Sequence, residues 1–157
     1  MGKAKVTANP GESVVYIERV FDAPRDKVFA AMTQKEKVAK WWVGPGYDVT
    51  VEELDAREGG RWRYVQDKGD QKIAFFGVFH EVSPERTIQT FEFDGMPERG
   101  HVSMDKAELI EEDGKTKLFI TSTYFSVADR DGMLASGMEE GMNHTYDTLE
   151  QLLKDEA

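Results

Sequence analysis

The side chains of this sequence best suited to chemistry are Ser103, Asp105, Ser122 and Tyr124, which alternate along two segments joined by Asp113-Gly114. That dipeptide favours a type I′ hairpin turn, because both of its central residues need positive φ. Taken as a two-residue loop, it sets Asp105 opposite Ser122, Ser103 opposite Tyr124, Ala107 opposite Ile120 and Leu109 opposite Leu118. Lys106, Glu108 and Lys117 then point to water, so the first set faces inward and is polar at one end. A carboxyl among hydroxyls, with a histidine or Tyr124 in reach of a substrate, could transfer protons. Buried polar groups that satisfy one another are the commoner meaning of such a set. His80, His101 and His144 are far apart and lack HExxH spacing, so a metal site would need the fold to bring them together. Asp129-Arg130-Asp131-Gly132 has part of a calcium-loop pattern, but Val127 and Met138 occupy its first and twelfth positions and cannot ligate. There is no P-loop, no dinucleotide fingerprint and no GxSxG elbow, so no cofactor is expected.

A second group of residues could supply an apolar chamber around those polar groups. Trp62 and Tyr64 alternate with Arg61 and Arg63, which turns the rings inward and the guanidinium groups out. Turning Arg86 and Glu92 to solvent brings Gln89, Phe91 and Phe93 inward, with Phe76, Val78 and His80 as their expected neighbours. Phe75, Phe79 and Ile88 would then form an outer apolar stripe, which suggests a covering loop or a homodimer contact. Candidate ligand-binding residues are therefore Trp62, Tyr64, Phe76, His80, Phe91, Ser103, Asp105, Ser122 and Tyr124 from strands, with Met138, Met142 and Tyr146 from a helix. His101 could add a polar contact. An apolar pocket with a few convergent polar groups is the usual form of a small-molecule site. The same aromatics could equally be core filling.

The elements that must hold these residues are mostly strands. Val14–Phe21 is the first, followed by Pro24 at the start of a short helix with Val28, Phe29 and Met32 on its buried side. Thr33-Gln34-Lys35-Glu36 reads as a capping box for a second short helix ending at Trp41-Trp42, stopped by Gly44-Pro45-Gly46. Strands follow at residues 47–54, 61–66, 73–82 and 86–93, with turns at Gly59-Gly60, Lys68-Gly69-Asp70 and Ser83-Pro84-Glu85. Residues 131–153 read as one amphipathic helix with Leu134, Met138, Met142, Leu149 and Leu152 on its apolar face. Ser126 can cap the approach to it. Gly132, Gly137 and Gly141 weaken that helix and mark a bend or a close approach to the sheet.

With 157 residues the chain has the length of one domain, assigned to residues 13–154 after a disordered lead-in over residues 1–12. A domain of this size buries about 70% of its unfolded surface, enough for a core without staples. The absence of cysteine excludes disulfide and thiol chemistry and fits a reducing, cytoplasmic setting. A net charge of −10, from 20 basic and 30 acidic residues, argues against nucleic acid as a partner. No apolar run reaches the roughly 18 residues of a membrane span.

Several short motifs, in order, point to a family. They are Phe21-Asp22-Ala23-Pro24 leading to Val28-Phe29, then Trp41-Trp42-Val43-Gly44-Pro45 and Asp55-Ala56-Arg57-Glu58-Gly59-Gly60. Next come Gly77-Val78-Phe79-His80-Glu81-Val82-Ser83-Pro84-Glu85-Arg86, then Gly137-Met138-Glu139-Glu140-Gly141 and Leu149-Glu150-Gln151-Leu152. Over residues 14–153 the chain resembles the START-like, or SRPBCC, superfamily. Within it, the likeness is to homologues of the C-terminal domain of the heat-shock protein 90 ATPase activator. Met142 and Tyr146 stand where such proteins often carry tryptophan and leucine. The resemblance implies an α+β helix-grip fold, a curved antiparallel sheet wrapped around a long C-terminal helix. The inward aromatics and the absence of catalytic motifs point in turn to binding of a small, largely apolar, aromatic or lipid-like ligand between sheet and helix. The alternatives are a chaperone-associated stress role, which the resemblance suggests, and a cyclase- or hydrolase-type activity in which Asp105 would work with a histidine or Tyr124.

Overall fold

A computed structural model of the chain describes residues 3–44 and 46–157; Met1, Gly2 and Pro45, parts of the expected lead-in and helix stop, lie outside the described residues. Twelve elements follow in order among them: β1 Lys5–Thr7, β2 Val14–Phe21, α1 Arg25–Thr33, α2 Lys35–Trp41, β3 Asp48–Leu54, β4 Arg61–Lys68, β5 Gln71–Val82, β6 Arg86–Phe93, β7 Val102–Glu112, β8 Lys115–Thr123, α3 Val127–Ala135 and α4 Met138–Asp155. The strands form one antiparallel sheet in the order β1-β2-β8-β7-β6-β5-β4-β3. β3 to β8 are a continuous meander, and α1 and α2 carry the chain from β2 to the far edge. Bulges at Val51/Glu53 and Phe79/Glu81 shift the register and bend the strands, helping to curve the sheet around its helices.

The last hairpin has the register its turn dictates. Asp113 and Gly114 take φ values of 55° and 78°, and Asp105↔Ser122, Ala107↔Ile120 and Leu109↔Leu118 are paired. Val15, Ile17, Arg19 and Phe21 alternate inward along β2, and the three apolar ones join Leu118, Leu109, Ala107, Trp41, Tyr146 and Leu149 in the larger core cluster. Ser126 caps α3, its hydroxyl accepting from the Asp129 N–H at 3.0 Å.

Three expectations about the lead-in and the helices are corrected by the structure. Part of the lead-in is ordered: Lys5–Thr7 pair with Tyr16–Glu18, and Arg130 Nη1 donates to the carbonyls of Asn9 and Val14 at 2.9 and 3.0 Å. A buried guanidinium that finds backbone acceptors in this segment explains why it does not fray. The terminal helix is two helices, α3 and α4, parted at Ser136-Gly137, where Gly137 takes a left-handed φ of 85°. Of the bend or close approach expected at the glycines of this region, the bend is found at Gly137, and a Cβ on Gly132, Gly137 or Gly141 would meet nothing within 4 Å. Thr33 is no capping residue; it closes α1 by donating to the Phe29 carbonyl at 2.7 Å, and Gln34 stands at the start of α2 without a side-chain bond.

The facing of β5 is also the reverse of the expectation. Trp62 pairs with Gly77 and Tyr64 with Phe75, so Phe75 and Phe79 share the inner face with Trp62, Tyr64 and Phe91. Phe76, Val78 and His80 look outward. Phe76 is kept there by cation–π contacts, with the Arg63 and Arg99 guanidinium carbons 5.4 and 5.1 Å from its ring centre. Arg99 is itself fixed by Glu92, at 2.7 and 3.1 Å. The outer stripe of Phe75, Phe79 and Ile88 therefore does not exist as such, and with it goes the basis for a dimer contact there.

Candidate functional site

Across the concave face the strand registers lay out one row of side chains: Phe79, Gln89, Asp105, Ser122 and Val15. Thr87, Ala107, Ile120 and Ile17 form the next row on one side, and Phe91 beside Ser103 begins the row on the other. A carboxyl thus stands mid-sheet with apolar rows around it. Ser122 Oγ donates to Asp105 Oδ1 at 2.6 Å and Ser103 Oγ donates to the same oxygen at 3.1 Å. The Tyr124 hydroxyl lies 3.2 Å from Ser122 Oγ, whose proton is already given to Asp105, so the phenol is the group able to donate across that contact.

Burial drives the titration of this cluster. It raises the Asp105 carboxyl above the usual range, and the two serine hydrogen bonds only partly oppose it. Burial likewise raises Tyr124, with the Ser122 bond opposing and the Asp105 charge adding. Tyr146 is pushed far above the ordinary phenol range by burial and then by Asp105, with Arg19 opposing. A raised folded value means the native state holds the Asp105 proton more tightly than the unfolded chain does. The stability this confers is full below the unfolded carboxylate range and is lost as pH rises through the raised value. Asp105→Asn keeps an oxygen for both serines but has no charge to desolvate. Paired thermal melts should show it raising Tm by a few degrees at neutral pH, with a smaller gain at about pH 4, near the unfolded value.

Next to the polar row lies an aromatic wall. Trp42 packs edge-on against Tyr64 and Phe75, each at 5.0 Å between ring centres, and Trp62 lies 4.8 Å from Tyr64 and 5.9 Å from Phe91. Sequence reasoning found Trp62, Tyr64 and Phe91 but missed Trp42 and Phe75. Trp42 follows the last turn of α2, where helical periodicity no longer assigns a face. Phe75 was lost with the reversed facing of β5.

Of the twelve candidate residues, the structure brings ten to the concave side and puts two elsewhere. Ser103, Ser122, Tyr124 and Tyr146 gather round the Asp105 carboxyl, while Met138 and Met142 pack, with Tyr124, against the larger core cluster that holds Tyr146. Trp62, Tyr64 and Phe91 belong to the aromatic wall. Phe76 lies on the outer face, and so does exposed His80, for the reason of register given above. His101 is a surface residue with Nδ1 3.1 Å from Asp129 Oδ1, and His144 is exposed. No histidine therefore reaches Asp105, and the acid–base pairing of Asp105 with a histidine is not formed. Among the described residues, no group of three His, Cys, Asp or Glu side chains could hold a metal, and no helix is long and apolar enough to cross a membrane.

The seam between helix and sheet is not uniform. Along α4, Tyr146, Leu149 and Leu153 are buried at 8%, 0% and 5% exposure. Leu134 of α3 and Met138 and Met142 of α4 are only half-buried, as are Gln89, Phe91 and Asp105 on the sheet and Tyr124 just past β8. The C-terminal half of α4 is sealed and its N-terminal end is loosely closed. Two clefts are formed elsewhere: one of about 280 Å³ on the convex face beside Arg61, Phe76 and Val78, and one of about 600 Å³ beside Lys3, Glu140 and His144.

A curved antiparallel sheet gripping a C-terminal helix, with two short helices after the first long strand, defines the helix-grip, START-like class of protein. Within it, the chain belongs to the family described as activator of Hsp90 ATPase homolog 1-like protein, whose family model matches residues 22–154. Similar solved structures include a crystal structure from Rhodobacter sphaeroides, 22% identical over 98% of this chain and 99% of that one, with a TM-score of 0.89. A crystal structure from Mycobacterium smegmatis is 25% identical over 95% of each chain, with a TM-score of 0.85. A solution structure from Staphylococcus epidermidis is 26% identical over 96% of this chain and 95% of that one, with a TM-score of 0.80. No curated protein matches the chain in sequence.

Proposed function

We propose that the chain is a binding domain for one small, largely apolar molecule, held between the concave sheet and the start of α4. The observation that carries this reading is the gradient of burial along the helix, from sealed at Leu149 to half-open at Met138 and Met142. Methionine side chains are unbranched and adapt to irregular contacts, so they can repack around a guest at little cost. The aromatic wall supplies flat apolar area on one side, and Asp105 with its hydroxyl partners supplies an orienting polar end. The family gives the same expectation of a ligand-holding seam.

In a thermal-shift screen of apolar and aromatic probes, the protein should gain several degrees with its best binders, and Met142→Glu should abolish those gains. A panel in which no compound class moves Tm would overturn the reading. A contact with a heat-shock ATPase is a second reading, prompted by the family description and by Phe125, 76% exposed where β8 leads into α3. Stimulation of such an ATPase, lost in Phe125→Ser, would support it.

A further inference from the structure

We infer that the seam discriminates by charge: it takes a guest bearing a hydroxyl or a protonated amine and rejects one bearing a carboxylate. The inference rests on the binding site proposed above and names the chemistry of its polar end. Both serine hydroxyls near Asp105 converge on Oδ1, at 2.6 and 3.1 Å. Oδ2 has no hydrogen-bond partner among the described residues, yet it is not one of the unpaired side-chain atoms sealed from solvent. It is therefore open to whatever enters the half-buried space around it, as an oxygen that accepts from a donor.

No cation answers Asp105. It makes no ion pair among the described residues, and the Ser103, Ser122 and Tyr124 side chains around it are neutral. The two buried guanidinium groups of this part of the molecule are committed elsewhere: Arg19 to helix α4, with Nη2 2.8 Å from Asp147 and 3.7 Å from Glu150, and Arg130 to the carbonyls of Asn9 and Val14, at 2.9 and 3.0 Å, and to Asp131 at 3.0 Å. A hydroxyl guest donates to Oδ2 with no change of charge. An ammonium guest does the same and neutralises a carboxylate that burial disfavours. A carboxylate guest brings a second negative charge to a partly desolvated place with no positive group to meet it.

The test uses three probes with one ring system: 2-naphthol, 2-naphthylmethylamine and 2-naphthoate, titrated at neutral pH by calorimetry against the full chain and Asp105→Asn. Like-charge contacts at a binding site are strongly disfavoured, so the wild-type protein should bind naphthoate roughly 100-fold more weakly than naphthol. Asp105→Asn should narrow that gap by admitting naphthoate, and should weaken the amine. Equal wild-type affinity for naphthoate and naphthol, or a gap between them as wide in Asp105→Asn as in wild type, would overturn the charge inference while leaving the site in place. No binding of these probes or of any apolar compound in the wider screen would overturn the site and the inference together.

Discussion

Alanine at Gly77 should cost the protein about 3 kcal/mol or more, seen as a large fall in its urea midpoint, through overpacking and a broken hydrogen bond. A Cβ there would lie 1.9 Å from the Thr90 carbonyl oxygen and 2.7 Å from Trp62 Nε1. Neither neighbour can give way cheaply. The carbonyl belongs to the adjacent strand and accepts the indole N–H at 3.2 Å. The indole is 2% exposed and packed between Tyr64 and Phe91. Trp62 can lie flat in the sheet only because its cross-strand partner has no side chain. Gly132→Ala is the natural control: it lies within α3, a Cβ there meets nothing within 4 Å, and the change should stabilise by about 1 kcal/mol. Two glycine-to-alanine changes should therefore move the midpoint in opposite directions. Equal small effects would refute the account of Trp62.

Gly77 also explains where sequence reasoning about the site succeeded and where it failed. The β7–β8 hairpin was legible because Asp113-Gly114 admits one tight turn, and one turn sets every pair beyond it. Asp105, Ser103 and Ser122 were found that way. On sequence alone the facing of β5 comes from β6: carrying the Val82↔Thr87 pairing straight past the bulge at Phe79/Glu81 sets His80, Val78 and Phe76 against Gln89, Phe91 and Phe93. The β4–β5 turn at Lys68-Gly69-Asp70 offered a second route, because its length also decides the facing. A three-residue loop would pair Asp67 with Gln71; the actual loop is Gly69-Asp70, pairing Lys68 with Gln71. The difference of one residue exchanges the two faces of β5, moving Phe75 and Phe79 in and Phe76 and His80 out. A signal was present: an inward Trp62 needs a partner with no side chain, and Gly77 satisfies that only in the shorter register.

Helix periodicity was legible for the same kind of reason and misleading at one point. Apolar spacing carries on through Ser136-Gly137, since α3 and α4 both offer a face to the core, so the pattern alone cannot reveal a break. Gly137 could have been read as a stop, because it is the residue best able to adopt the left-handed turn found there. Arg19 was illegible. A charge inside an otherwise apolar strand looks like a solvent-facing residue, and only the fold brings acidic groups of α4 to it from more than a hundred residues away.

Arg19 leads to the second large effect. Its side chain is 1% exposed, with Nη2 donating to Asp147 at 2.8 Å and lying 3.7 Å from Glu150, while Nε and Nη1 have no partner among the described residues. Glu150 Oε1 is unpaired as well, in a side chain only 14% exposed. Asp147, 70% exposed, is solvated with or without the arginine. Arg19→Met should therefore lose about 3 kcal/mol, most of it from leaving Glu150 charged and under-solvated. Glu150→Leu alone should also destabilise, since it removes one of the two carboxylates near a buried guanidinium that already has idle donors. Made together, the two changes replace an imperfectly satisfied pair with apolar contacts beside Leu149 and Phe21, and stability should return to the wild-type value or exceed it. Urea unfolding of the four proteins gives the coupling directly, and losses that simply add would contradict it. The pair also has a bearing on the site. Asp147 and Glu150 flank Tyr146 and Leu149 on the helix, so anchoring them to β2 sets the rotation at which Tyr146 faces Asp105. The double variant should thus recover stability without recovering the full affinity of wild type for naphthol.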